Sequence, residues 1–285
     1  MSEALYVNLN GKIVPAATPI ASADSRAIRY GDGLFETMKW KAGTIMLADD
    51  HFARLWSGMK KMHFKIPPFF QPEKLLEEIQ QLCLKNNHPF ARIRLCVFRG
   101  NGGLNDAVDH KPNYTIQTWQ LPPTTGQLNE NGLQICLYKD GVKAIDGFAN
   151  LKHNNFLVYS MAALFSKSQR CNDALVLNSA GNICDSTIAN IFIIKENIIY
   201  TPPLSEGCIA GITRKQLLIT LPALGFKVME KAINTQDILE ADEVFLTNAI
   251  QHIKWVSGFD NVVYGNKRIL DIYKSLKATN NAINC

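Results

Sequence analysis

Four consecutive residues, Gly211-Ile212-Thr213-Arg214, open a run with apolar positions at Ile212, Leu217, Leu218 and Leu221. That spacing predicts a helix beginning here. The first amides of a helix have no partner within it, so with a threonine hydroxyl beside them they form a site for an anion. An ordinary helix cap is the simpler reading of the same residues, and taken alone it is preferred. A second candidate lies in Ala91-Arg-Ile-Arg-Leu-Cys-Val-Phe98. Alternation puts Arg92 and Arg94 on one face of a strand, opposite Ile93, Leu95 and Val97. A cation there would meet a substrate carboxylate; a solvent-facing sheet edge is the alternative. No lysine is singled out by its spacing. The six histidines show no metal-ligand spacing, and no metal is expected. There is no G-x-G-x-x-G after a strand, no P-loop, no G-x-S-x-G and no H-E-x-x-H.

The elements that must position these residues are short strands with a few helices. Residues 5–8 and 13–14 flank the turn Asn10-Gly11 as a hairpin, and 34–40 and 44–47 flank Lys41-Ala42-Gly43 as another. Residues 49–62 place Phe52, Leu55, Trp56 and Met59 at helical spacing. Pro72 opens a second helix to about Lys85, with Leu75, Leu76, Ile79 and Leu82 on one face. Strands follow at 91–98 and 114–119. The paired prolines and glycine of Gln120-Leu-Pro-Pro-Thr-Thr-Gly126 mark a linker. Beyond it the pattern gives a strand at 133–138, a helix around 154–168, strands at 174–178, 190–195 and 198–200, the helix from Ile212 and a strand at 243–246. Strands in hairpins outnumber helices, which favours α+β over a doubly wound parallel sheet. The expected organisation is a small N-terminal domain over 1–119, a linker over 120–127 and a larger C-terminal domain over 128–285.

Composition excludes several classes of function. The chain has 285 residues, 47% of them hydrophobic and 19% charged, which suits a packed core and not a disordered tail. The net charge of +5 is too mild, and its lysines and arginines too scattered, for a nucleic-acid footprint. No apolar run reaches the roughly 18 residues of a spanning helix, so no membrane partner is expected, and the N-terminus lacks the pattern of a secretory signal. Seven cysteines at irregular spacing, without C-x-x-C, do not form a disulfide framework. A reducing cytoplasm is the expected location.

Five ordered motifs carry a resemblance. They are Tyr30-Gly-Asp-Gly-Leu-Phe-Glu-Thr37, Asp50-His-Phe-Ala-Arg54-Leu55, Leu151-Lys152-His-Asn-Asn155, the span from Asp185-Ser-Thr-Ile-Ala-Asn190-Ile-Phe192 to Gly211-Ile-Thr-Arg214, and Thr247-Asn248-Ala249. Together they resemble the class IV aminotransferases, pyridoxal phosphate enzymes of fold type IV. That family includes branched-chain aminotransferases, D-amino-acid aminotransferases and aminodeoxychorismate lyases. The resemblance implies a two-domain α+β fold with a barrel-like sheet in the larger domain, and pyridoxal 5'-phosphate as cofactor. It implies that Lys152 is the Schiff-base lysine and the base that moves the Cα proton. Arg54, Ile212, Thr213 and Thr247 would hold the phosphate, with Asn190 and Asn248 in the cofactor motifs. Ile209 would pack on the ring face. Phe35, Arg94 and Ala249 fall on the substrate side. At the position of the ring-nitrogen carboxylate the family usually has glutamate; this chain has Asp185, one methylene shorter.

By resemblance the reaction is transamination from an L-amino acid, branched-chain ones included, to a 2-oxo acid, since the Arg-x-His of D-amino-acid enzymes is absent. Branched-chain enzymes are similar at the Arg94 strand. Aminodeoxychorismate lyases are similar at Lys152-His153-x-Asn155 and Thr247-Asn248-Ala249, but usually carry arginine where Leu104 stands. Lysis of aminodeoxychorismate to pyruvate and 4-aminobenzoate is the alternative, and a non-catalytic cofactor-binding protein is a third. The polar, glycine-rich loop 99–105 resembles a segment that completes a partner's site, which implies a homodimer.

Overall fold

The computed structural model describes residues 5–106 and 109–279. Cys285 lies outside them. The six described cysteines are free thiols, and Cys83, Cys136, Cys184 and Cys208 are buried as small apolar residues. No helix of the described residues is long and apolar enough to cross a membrane.

The first unit is Met1–Thr125 together with Lys152–Asn155. Its elements are β1 (Tyr6–Leu9), β2 (Lys12–Pro15), α1 (Arg26–Tyr30), β3 (Gly33–Lys41), β4 (Thr44–Ile45), α2 (Ala48–Lys61), α3 (Pro72–Lys85), β5 (Phe90–Phe98) and β6 (Asn113–Gln120). The strands form one antiparallel sheet in the order β2-β1-β6-β5-β3-β4. Asn10 and Gly11 both adopt positive φ, 51° and 87°. That turn matches the twist of the β1–β2 hairpin, and asparagine and glycine tolerate it. Strand β5 alternates as its sequence demands. Ile93, Leu95 and Val97 are fully buried, while Arg92 and Arg94 on the other face are half-buried. Because β5 lies between β6 and β3, Arg92 and Arg94 do not stand on a sheet edge.

The segment Lys152–Asn155 departs from the helix expected to begin near 154. The Phe35 amide donates to the Lys152 carbonyl at 2.9 Å and the Asn154 amide to the Gly33 carbonyl at 2.9 Å. The segment thus lies against the first part of β3, bridging at Leu34 and His153. Helix α4 (Leu157–Ser168) starts only after this excursion, and the excursion interrupts the continuous 128–285 domain expected from the sequence.

The second unit is Gly126–Leu151 with Phe156–Cys285. After β7 (Leu133–Lys143) and α4 come β8 (Asp173–Asn178), β9 (Ile183–Ser186), β10 (Asn190–Lys195) and β11 (Ile198–Thr201). They are followed by α5 (Ile212–Ala223), β12 (Lys227–Glu230), α6 (Thr235–Leu239), β13 (Glu243–Asn248), β14 (His252–Phe259), β15 (Val262–Val263) and α7 (Lys267–Ala278). The nine-stranded mixed sheet runs β12-β11-β10-β13-β14-β7-β8-β9, with β15 on β14. Its two ends meet at an isolated bridge between Ile183, in β9, and Ile233, just past β12. This closure gives the barrel-like sheet that the resemblance implied.

Strand β10 shows why the sheet holds. Ile191 and Ile193 point into one core with Leu175, Val244 and Leu246. Phe192 and Ile194 point the other way, into a second core with Leu217 and Leu221 of α5 and Ile272 and Leu276 of α7. Burial on both faces explains an unbroken apolar run instead of alternation. Helix α4 brings Tyr159 and Ala162 to a third core with Tyr138, Val176, Cys184 and Cys208.

Candidate active site

In the first unit, chemistry-bearing residues collect beside β3. The ammonium of Lys152 lies 4.5 Å from the centroid of the Phe35 ring, and the guanidinium of Arg94 lies 3.8 Å from the same centroid. Two cations on one aromatic ring place the predicted lysine and the predicted carboxylate-binding arginine within one ring of each other. Gly33 makes room for this segment, since a Cβ there would come within 2.5 Å of Asn154 Nδ2 and of the Val97 carbonyl. Neither Arg92 nor Arg94 forms a hydrogen bond or ion pair with a described residue. Each rests on an aromatic ring, Arg92 on Trp119. Burial lowers the proton affinity of both, and for Arg94 the neighbouring Arg92 adds to the effect.

Arg54 engages Glu36. Its Nε donates to Oε1 at 2.8 Å and its Nη2 to Oε2 at 2.6 Å, while His51 Nδ1 lies 2.7 Å from Oε2. Glu36 is 1% exposed. Burial alone would raise its pKa; Arg54 and His51 outweigh burial and lower it from 4.5 to about 2. A carboxylate depressed in the folded state stabilises the protein above its unfolded pKa and loses that contribution as pH falls. Glu36 is therefore expected to contribute on the order of 3 kcal/mol above pH 4.5, fading as the pH approaches 2. Acid unfolding of the parent and Glu36→Gln checks this: the stability difference should shrink across that window, and a constant difference would contradict it. Replacing Arg54 with alanine would strand this buried carboxylate, so it costs stability as well as any ligand contact.

In the second unit, Asp185 sits on β9, a strand the sequence pattern does not signal, and is 2% exposed. Four donors hold its carboxylate. Oδ2 accepts from Tyr159 Oη at 2.7 Å, the Ile209 amide at 3.0 Å and Lys143 Nζ at 3.3 Å, and Oδ1 accepts from Asn190 Nδ2 at 2.8 Å. Burial raises the Asp185 pKa and Lys143 foremost opposes it. Burial and the charge of Asp185 push Tyr159 well up, which keeps its hydroxyl a donor.

Asn190 ties this carboxylate to the start of α5. Its Nδ2 also donates to the Ile209 carbonyl at 2.9 Å. A Cβ on Gly211, the residue preceding α5, would lie only 1.8 Å from Asn190 Oδ1. Gly211 has φ of −66°, which any residue adopts, so its requirement is space. Gly211→Ala is expected to destabilise the protein by about 1–3 kcal/mol, read as a lowered melting temperature; an unchanged Tm would contradict this packing.

No side chain caps α5. Thr213 and Thr247 are both 2% exposed, and the hydroxyl of each is buried without a hydrogen-bond partner. Strand register sets Thr247 opposite Asn190, so both hydroxyls belong to elements that meet at Asn190. Buried hydroxyls are normally paired. Two orphans beside an uncapped helix start fit an anion bound by those hydroxyls and the Ile212 and Thr213 amides. Past Thr247, Asn248 Oδ1 accepts from the Ile250 and Gln251 amides at 3.0 and 2.8 Å, which turns the chain. Ala249 lies within that turn.

Residues 33–257 match the amino-transferase class IV family. An aminodeoxychorismate lyase from Vibrio harveyi is 27% identical over 82% of this chain and 85% of its own. A branched-chain-amino-acid aminotransferase from Pseudomonas aeruginosa is 27% identical over 91% of this chain and 86% of its own. The crystal structure of the Escherichia coli branched-chain amino acid aminotransferase shares the fold, with a TM-score of 0.87 at 21% identity over 99% of this chain and 97% of its own. The chain belongs to the class IV amino-transferase family, whose members are pyridoxal phosphate enzymes.

Lys143, Tyr159 and Glu36 were not marked as site residues by the sequence. Glu36 falls inside the Tyr30–Thr37 motif without a role assigned to it, and the helical position of Tyr159 does not point to Asp185.

Proposed function

We propose that this chain binds pyridoxal 5'-phosphate through Lys152 and moves an amino group from an L-amino acid to a 2-oxo acid. The observation that carries this reading is the pair of buried, unpartnered hydroxyls of Thr213 and Thr247 beside the uncapped start of α5. They fit a phosphate, with the Ile212 and Thr213 amides as further donors, and the resemblance adds Arg54. Asp185 would favour a proton on the ring nitrogen, with Asn190 fixing its Oδ1, and Ile209 would pack on the ring. Asn248 would shape the second phosphate loop. When bound, the cofactor supplies an electron sink for charge developing at the substrate Cα. Lys152 Nζ takes the Cα proton and returns it, and Phe35 holds that nitrogen near Arg94. Arg94 and Ala249 would receive the substrate carboxylate.

One observation favours lysis of aminodeoxychorismate as a second reading. Arg92 stands unpaired beside Arg94 on the same strand face, and two cations suit a substrate with two carboxylates. A panel of L-amino acids followed by spectral conversion of the cofactor, run beside an assay of pyruvate release from aminodeoxychorismate, separates the two. Conversion by an amino acid without pyruvate release supports transamination; the reverse supports the lyase. Retention of Lys152 argues against a purely binding role.

The protein is read as a cytoplasmic homodimer. Arg99 anchors its loop through Asp32 Oδ1 at 2.6 Å, while Leu104 is 70% exposed. Light scattering is expected to give twice the mass of the chain; a fully active monomer would contradict this.

A further inference from the structure

We propose that Lys143 is a positioning residue that fixes the Asp185 carboxylate as an anion and leaves Oδ1 as the oxygen with an acceptor position to offer. The inference rests on the reading of Asp185 as the partner of the cofactor's ring nitrogen. A carboxylate has about four acceptor positions, two on each oxygen. Oδ2 already receives three donors, from Lys143, Tyr159 and Ile209, whereas Oδ1 receives one, from Asn190. Asn190 is itself clamped by the Ile209 carbonyl and by Gly211, so it keeps its amide toward Oδ1.

Lys143 and Asp185 are 8% and 3% exposed along their side chains, and among the described residues this is the one ion pair Asp185 makes. The thiols and the phenol beside it add no charge, and buried Arg214 near Cys208 is itself paired with Glu230. Burial pushes the Cys208 thiol up to about 12 and Cys184 higher still, and Tyr159 is likewise held protonated. A carboxylate so deep would otherwise take up a proton. Lys143 touches the carboxylate directly, so its charge favours the anion of Asp185 more than it disfavours a cation beyond it. The proton shared between Asp185 and a ring nitrogen then stays on nitrogen. Without the ammonium, the same proton passes from the ring nitrogen to Asp185, giving a neutral acid beside a neutral ring.

The test uses protein loaded with pyridoxal phosphate labelled with nitrogen-15 in the ring, read by NMR at neutral pH. The parent is expected to show a protonated ring nitrogen. Lys143→Met is expected to lose the protonated signal, and Lys143→Arg to keep it. Lys143→Gln keeps a hydrogen-bond donor toward Oδ2 without charge, and is expected to lose the signal as well; it also serves should the methionine variant not fold. A protonated nitrogen in either uncharged variant overturns the proposal, because a merely structural lysine would not move this signal. Asp185→Asn is the control. If it leaves the nitrogen protonated, the reading of Asp185 itself fails; if it loses the proton while Lys143→Met and Lys143→Gln do not, only the role of Lys143 fails.

Discussion

Lys152→Ala is expected to reduce turnover by at least about 10⁴-fold and to abolish covalent retention of pyridoxal phosphate, with little change in fold. A positioned general base alone contributes about 10²–10⁴-fold, and on the proposed reading this lysine would also carry the cofactor. The structure explains why the fold should survive. The carbonyl of residue 152 accepts from the Phe35 amide on β3, and alanine keeps that bond. The variant removes the ammonium from the Phe35 ring and leaves Arg94 in place. Single-turnover rates at matched cofactor occupancy check the expectation. Parent-like turnover in the variant would remove Lys152 from the chemistry.

Asp185 is the second position where a large loss is expected, on the order of a hundredfold or more. Its surroundings decide how each substitution acts. Asparagine is not a neutral isostere here. Its single carbonyl can meet the donors now gathered on Oδ2, but its NH₂ then faces the Asn190 amide. Two donors face each other, and Lys143 loses its counter-charge. Asp185→Asn should therefore lose about 1–3 kcal/mol of stability in addition to rate, so occupancy and melting must be measured beside activity. Glutamate, the family's usual residue, is expected to be worse here than aspartate. All four donors touch the carboxylate directly, so an added methylene must push against Tyr159, Ile209 or Asn190. Asp185→Glu with full activity and unchanged melting would contradict this account of the site.

Much of the frame could be read from residue order. Pro72 and the apolar positions after it locate α3 at both ends. Alternation in β5 separates Arg92 and Arg94 from Ile93 and Leu95. The ordered motifs point to Lys152, Thr213 and Thr247. What stayed hidden depends on contacts between distant residues. Strand β9 is four residues long and contains Cys-Asp-Ser, a poor strand signal, yet it is wholly buried, pairs with β8 and gives Asp185 four donors. Lys143 is the clearest case. Hydropathy alone would bury Val142 and expose Lys143; instead Val142 is 51% exposed and Lys143 8%. The cause is a register shift between β7 and β8. Tyr138 pairs with Val176, but the next pair is Val142 with Leu177, so the residues between loop out and reverse which side chains point inward. Helix α4 starts later than the pattern predicts because the Asn154 amide bonds to Gly33 and not within a helix.

The central claim is that Lys152 carries the cofactor. Incubation with pyridoxal phosphate, borohydride reduction and peptide mass mapping test it most directly. The account predicts the added mass of the reduced cofactor on the peptide containing Lys152 and on no other. Modification of a different lysine, Lys143 included, or no modification of the folded protein, would contradict it.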